Sequence, residues 1–248
     1  MDSTKLRDGD IYDVLKREFV HILEAYSLES ETVVIRAGAL LPQEAIGDPE
    51  HKDYPLLKGR ERLMQAEFRG CFGHAFTDMY GNFTGTLSEI VRIDPADNFK
   101  RAIFISGLNA VLRYLGIATK TVHCKDEEPP RCARVLSELI KEKFSNPKIA
   151  VVGLQPRMVQ ELSSNFQLRV TDLDPANIGK VKFGIAIDGP EKTESNLDWC
   201  DLALVTGTTV TNNTLSRFLI DKPTIFYGVT ISGTAKLLSL NHFCHCGH

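Results

Sequence analysis

Long apolar runs are missing from this sequence. No stretch approaches the roughly 20 apolar residues that cross a bilayer, and Ile149 to Leu154 is only strand-sized, so no membrane partner is expected. The N-terminus, MDSTKLRDGD, lacks a basic stretch followed by an apolar segment, so no signal peptide is read and a cytoplasmic location is expected. Positive charge gives no surplus either. The 29 Lys and Arg face 32 Asp and Glu, for a net charge of −3. Without a basic run there is no electrostatic footprint of a nucleic-acid binder. GxGxxG, G-x-S-x-G and H-E-x-x-H are all absent, which argues against a dinucleotide cofactor, a serine hydrolase and a helix-borne zinc hydrolase. The six cysteines (Cys71, Cys124, Cys132, Cys200, Cys244, Cys246) are scattered, favouring reduced thiols over a disulfide framework.

What is present reads as globular: 43% hydrophobic and 25% charged residues over 248 positions, enough for a sizeable core. Ile11, Val14, Leu15, Phe19, Ile22 and Leu23 recur at helical spacing, predicting an amphipathic helix over Asp10 to Leu28. ETVVIRA reads as a strand, Gly38 to Leu57 as a hairpin or long loop, Glu67 to Phe76 as extended, and Thr86 to Val91 as a short helix. Phe99 to Leu115 is apolar on most sides and stops at Gly116, so it predicts a buried helix. Polar residues and Pro129-Pro130 suggest a boundary, giving an α+β domain at 1–128 and a second domain at 129–248. Beyond it the pattern alternates. A helix over Arg131 to Phe144 precedes IAVVG, a helix over Pro156 to Leu162, FQLRVTD, FGIAID, LALVTG, a helix over Asn213 to Ile220, TIFYG and a helix over Gly233 to Leu240. Short apolar runs between helices predict an α/β fold with a Rossmann-like parallel sheet covered on both faces.

In such sheets ligands bind beyond the carboxyl ends of the strands. There Gly153 and Pro156 form a turn that could present N–H groups to an anion, or simply a tight turn. Asp172 stands where Rossmann proteins hold a ribose, although Asp172 or Asp174 capping the turn before Pro175 is an equal reading. Thr206, Gly207, Thr208, Thr209, Asn212, Asn213 and Thr214 put hydroxyls and amides at a helix start, and Gly228 adds to the same rim. Asn109, inside an apolar helix, needs buried partners and could face an interdomain cleft. His74 and Asp78 could offer acid or base groups there. At the end of the chain, His242, Cys244, His245, Cys246 and His248 offer ligands that suit a thiophilic metal ion, though C-x-C is not the usual structural zinc spacing. No catalytic residue is assigned.

Taken in order, VVGLQP, TDLD, CDLALVTGTTVTNNTL and IFYGVTISG, with HAFTDMYGNFTGTL and ISGLNAVLRYLG upstream, resemble the uncharacterised family labelled putative heavy-metal chelation domain. The resemblance implies an enolase-N-terminal-like domain, a Rossmann-like domain and a site between them. It points to Gly153, Pro156, Thr206 to Thr209, Asn212, Thr214, Gly228 and Asn109, and does not reach the Cys/His ending. Three functions stay open: a small anionic ligand, such as a metal chelator, bound between the domains; a transferase or synthase with an adenosine cofactor on Asp172; and a metal carrier using the tail. A homodimer is the default expectation.

Overall fold

A computed structural model describes residues 11–37, 42–58 and 61–248. The chain opens with α1 (Ile11–Tyr26), β1 (Thr32–Ala37), and the short helices α2 (Pro42–Ile46) and α3 (Pro55–Lys58). Next come β2 (Arg62–Phe68), β3 (Cys71–Thr77), β4 (Phe83–Thr86), α4 (Leu87–Arg92) and α5 (Asn98–Tyr114). These four strands form an antiparallel sheet in the order β3-β2-β1-β4. Then follow α6 (Glu128–Phe144), β5 (Lys148–Val152), α7 (Pro156–Ser163), β6 (Gln167–Thr171), β7 (Val181–Lys182), β8 (Ile185–Asp188) and α8 (Thr193–Trp199). Last are β9 (Leu202–Thr206), α9 (Thr208–Thr211), β10 (Thr224–Tyr227), α10 (Ser232–Leu237) and β11 (His242–Phe243). The second sheet runs β11-β10-β9-β5-β6-β8-β7, parallel except for β7. The order reverses between β5 and β9, the switch point of a Rossmann-like sheet.

The expected α/β class stands, and several local expectations change. Asp10 and residues 38–41 lie outside the described residues. The extended stretch is two strands joined at Arg69 and Gly70, both at positive φ. Pro129 and Pro130 start α6 rather than precede it, because proline near a helix N-terminus sacrifices no intrahelical bond. No helix covers Asn213 to Ile220: α9 ends at Thr211, Asn213 takes φ 54°, and a 3₁₀ turn follows at Leu215–Phe218. The helix α8 and the strand β11 were not foreseen. Among the described residues no helix is long and apolar enough to cross a membrane.

Alternation along the parallel strands divides the second sheet between two cores. Ala150, Ala203, Val205 and Phe226 face one cluster with Leu15, Phe19, Leu108, Leu112 and Ala235. Ile149, Val151, Leu204, Ile225 and Tyr227 face the other with Leu136 and Ile140 of α6 and Val159 and Leu162 of α7. The first cluster also holds Val33, Met64 and Ala75 of the antiparallel sheet. One continuous core therefore joins both sheets. α5 is its axis, buried without a break from Arg101 to Leu112, as expected of a helix apolar all round.

Asn109 lies at the centre of this interface, with no exposure. Its amide nitrogen reaches the carbonyls of His74 (2.9 Å), Thr230 (3.0 Å) and Val229 (3.3 Å), and its oxygen accepts from the Gly233 N–H (2.8 Å). Close approach is possible because neighbouring residues are glycine. A Cβ on Gly73 would lie 2.3 Å from backbone atoms of Ser106 and Ala110, and one on Gly233 would lie 2.8 Å from Asn109 Oδ1. His74 is equally committed: its Nε2 meets Gln65 Oε1 at 2.9 Å and its Nδ1 accepts from the His123 N–H at 3.0 Å. Burial, with His123 second, pushes the His74 imidazole down to about 3, and burial lowers His123 to about 4.

Replacing Asn109 by Leu strands three carbonyls and one N–H in a dry interface. At about 1–3 kcal/mol per unsatisfied buried group, urea denaturation should show a loss of at least ~3 kcal/mol; a loss below ~1 kcal/mol would mean that water reaches the amide. The histidines set a pH dependence. Both fold as neutral rings, whereas the unfolded chain protonates them near 6.5. Their contribution is complete above that value and falls as pH drops towards 4, by up to ~1.4 kcal/mol per pH unit for each ring. Stability measured between pH 7.5 and 5 should fall less steeply in His74→Asn than in the parent chain; parallel curves would contradict this assignment.

Candidate functional site

At the switch point the carboxyl ends of β5 and β9 meet, and the strand-end residues do come together there. Gly153, at φ 87°, faces the Thr206 side chain so closely that a Cβ would lie 2.7 Å from Thr206 Cγ2. Tyr227 Oη donates to the Gly153 carbonyl at 2.7 Å. The place where a Rossmann loop would admit a pyrophosphate is thus filled by a threonine methyl and a phenol. Gly153 leads into Gln155, whose side chain caps the Met158 N–H at 2.6 Å, and Pro156 is the first residue of α7.

Asp172 spends both carboxylate oxygens locally. Oδ2 accepts from the Leu154 N–H at 2.6 Å, and Oδ1 accepts from the Asp174 N–H at 2.6 Å and meets Asn177 Nδ2 at 3.4 Å. The capping reading of this residue matches these bonds. The threonine-rich stretch is also largely turned on itself. Thr206 and Thr208 hydroxyls share a bond of 3.1 Å, Thr209 donates to the Thr206 carbonyl at 2.8 Å, and the Thr214 N–H donates to the Thr209 carbonyl at 2.9 Å. Thr211 reaches across to the Phe76 carbonyl at 2.9 Å. The Gly207 N–H binds the Tyr227 carbonyl, a Cβ there would lie 3.0 Å from Ile231, and Gly228 takes φ 91°. Asn212 meets Asn98 at 3.5 Å, Asn213 is exposed, and Asn109 lies in the core instead of on this rim.

Glu61, which sequence reasoning missed, stands beside Asp172, Asp174 and Asp78; burial and their charges push its carboxyl up to about 7. Its position before β2 carries no motif that could have revealed it. An anion above these strand ends would meet four carboxyl groups, which disfavours the anionic ligand expected there.

The tail is built into the fold. β11 extends the parallel sheet, with Phe226 opposite His242 and Tyr227 opposite Phe243. The His248 N–H then donates to the Val122 carbonyl at 2.9 Å, while the N–H groups of Thr121 and Val122 donate to His248. That segment is itself held on β3, where Thr121 O accepts from His74 N–H. The chain end is therefore stitched to the residues just before Cys124.

Four free thiols gather at this junction. Cys132 and Cys246 are buried in the second core cluster, with Cys124 packed against it. Cys124 lies within electrostatic reach of Cys132, Cys244 and Cys246; Cys244 feels Cys132 and Cys246; and Cys246 is in hydrogen-bonding reach of Cys132. Burial first, then the neighbouring thiols, pushes Cys124 and Cys246 up and Cys244 up to about 12. Gly247 donates its N–H to Cys244 and has no side chain to block it: a Cβ would lie 2.6 Å from Cys244 Sγ. Lys120 beside Cys244 and Arg131 beside Cys246 favour the thiolates. As the side chains stand, no three His, Cys, Asp or Glu among the described residues are arranged to hold a metal ion. The tail histidines turn elsewhere: His242 bonds the Gly228 carbonyl at 2.8 Å, His248 bonds Glu128 at 3.0 Å, and His245 is exposed. Cys124 and Cys132 escaped the sequence reading because seven residues and two prolines separate them, a spacing no zinc motif uses.

No functionally curated relative matches the chain. Two solved structures share its fold, both of unknown function and both from the DUF364 family. One, from Pyrococcus horikoshii, is 16% identical with a TM-score of 0.58 and covers 92% of this chain and 82% of its own. The other, from Desulfitobacterium hafniense DCB-2, is 14% identical with a TM-score of 0.50 and covers 71% of each chain. The family model, described as putative heavy-metal chelation, matches residues 136–238, from the middle of α6 to just past α10. The stretch that is similar to this family holds most of the parallel sheet, its switch point and the helices that cover it.

Proposed function

We propose that the chain chelates a thiophilic metal ion through Cys124, Cys132, Cys244 and Cys246. The single observation that carries this reading is the mutual proximity of four free thiols drawn from three separate segments. Soft sulfur donors select zinc, cadmium or copper(I) over hard cations, and four of them suit tetrahedral coordination at about 2.3 Å for zinc. Closing the four thiols on an ion would require their side chains to move, since as they stand no three ligands among the described residues converge. The description of the matched family supports the same class of cargo. With a domain boundary near residue 128, the first domain supplies Cys124 and the second supplies the other three. Four thiolates on a divalent ion leave two negative charges, which Lys120 and Arg131 are placed to offset.

The metal must displace protons from thiols whose burial holds them neutral, so affinity rises with pH. Titration with Cd²⁺, followed by thiolate-to-metal charge-transfer absorption, should show one ion per chain, tighter at pH 8 than at pH 6. The Cys124→Ser/Cys132→Ser variant should lose the signal as completely as Cys244→Ser/Cys246→Ser. Full stoichiometry in the first variant would place binding in the tail alone and refute the four-thiol site.

A further inference from the structure

Buried polar atoms without partners also concentrate away from the thiols. Of six such residues among those described, Asp53, Tyr54 and Arg157 form one contact group, through Asp53 Oδ1, Tyr54 Oη and Arg157 Nε. Arg157, the second residue of α7, has a side chain only 4% exposed and pairs with Asp53 through Nη2 to Oδ2 at 2.6 Å. Its guanidinium lies between the rings of Tyr54, 5.8 Å away, and Phe183, 5.4 Å away. The aromatic walls fix the plane of the cation and exclude water from its faces. Phe183 reaches this position from the two-residue turn between β7 and β8, where Phe183 and Gly184 have φ 53° and 77°.

Lys182 enters from the same hairpin, and Lys58 from the end of α3. Their ammonium groups stand within hydrogen-bonding reach of one another, with Lys180 also close and Asp53 as the nearby countercharge. Lys182 is half-buried, and burial, followed by Lys58, lowers its pKa. Arg157 and Lys182 thus both act on Asp53, with Lys58 and Lys180 beside Lys182; Glu127 acts on Tyr54 from the exposed side. The idle Nε–H of a buried guanidinium, an idle phenol and two facing ammonium groups outnumber the one idle acceptor beside them, Asp53 Oδ1. An oxyanion supplies several acceptors and removes the repulsion between the lysines.

We propose that this cluster binds a small-molecule oxyanion, a phosphate or carboxylate group, held by Lys58 and Lys182 and receiving bonds from Arg157 Nε–H and Tyr54 Oη–H. This site shares no residue with the thiols or the acidic strand ends, although Tyr54 lies within electrostatic reach of Cys124. It places the anionic ligand expected from sequence on residues the sequence did not single out.

The full chain can be titrated calorimetrically with inorganic phosphate and, separately, with citrate, at constant ionic strength set by sodium chloride. Saturable binding of at least one probe is expected, weakened about tenfold or more in Lys58→Gln/Lys182→Gln. Neither lysine is in the core, so that variant should keep the parent's unliganded melting temperature. Tyr54→Phe, which removes only the hydroxyl, should weaken binding less. Phosphate alone would identify a phosphoryl ligand, citrate alone a carboxylate, and both the shared oxyanion chemistry. No saturable heat with either probe, or equal affinity in the double lysine variant, overturns the proposal.

Discussion

The structure turns on the carboxamide of Asn109. One side chain binds a strand of the antiparallel sheet, the loop after β10 and the start of α10. In a dry interior each of those bonds is stronger than in water, and each becomes costly when one partner is removed. The glycines at 73 and 233 let the backbones approach closely enough for a short side chain to span them. Both sheets consequently share one core at this point. Ligand chemistry has no room beside Asn109.

The same joint determines where the chain ends. β3 holds Thr121 through the His74 N–H and the Phe72 carbonyl, and Thr121 and Val122 hold His248. The Cys/His ending is a strand followed by a second set of backbone bonds. Each step follows from unsatisfied backbone: β3 and β10 are otherwise edges, and a short segment laid along an edge pairs its groups. Thiols more than a hundred residues apart in sequence become neighbours because these two edges are closed by adjacent pieces of chain.

Sequence patterning made most of the fold legible because it depends on local periodicity. The helix ending before Gly116, the short apolar strands and the capped turn at Thr86 all carry signals within a dozen residues. The hydroxyl-rich stretch after β9 was legible as a strand-to-helix turn, but its composition overstated its availability: Thr206, Thr209 and Thr211 bond to their own neighbourhood. Asp172 shows the same ambiguity, since a capping aspartate and a ribose-binding aspartate occupy one position. Glu61 and Arg157 were invisible for the opposite reason. Their surroundings come from elements far apart in the chain, and nothing beside them in sequence records that distance.

The packing of the thiol cluster bears on what kind of metal site it would be. Cys132 and Cys246 pack in the core with Leu136, Ile140 and Tyr227, and burial raises the Cys246 thiol. Small buried thiols behave as hydrophobes, so they stabilise the fold without an ion. In a structural zinc module, by contrast, the metal provides the core and the apo chain unfolds. Here the backbone pairing of β11, Thr121 and His248 runs through protein groups alone. A folded apo state with raised thiol pKa values makes loading a competition between metal and protons. Under the proposed chelation, cargo would then exchange without unfolding, the behaviour of a chelator and not of a structural metal module.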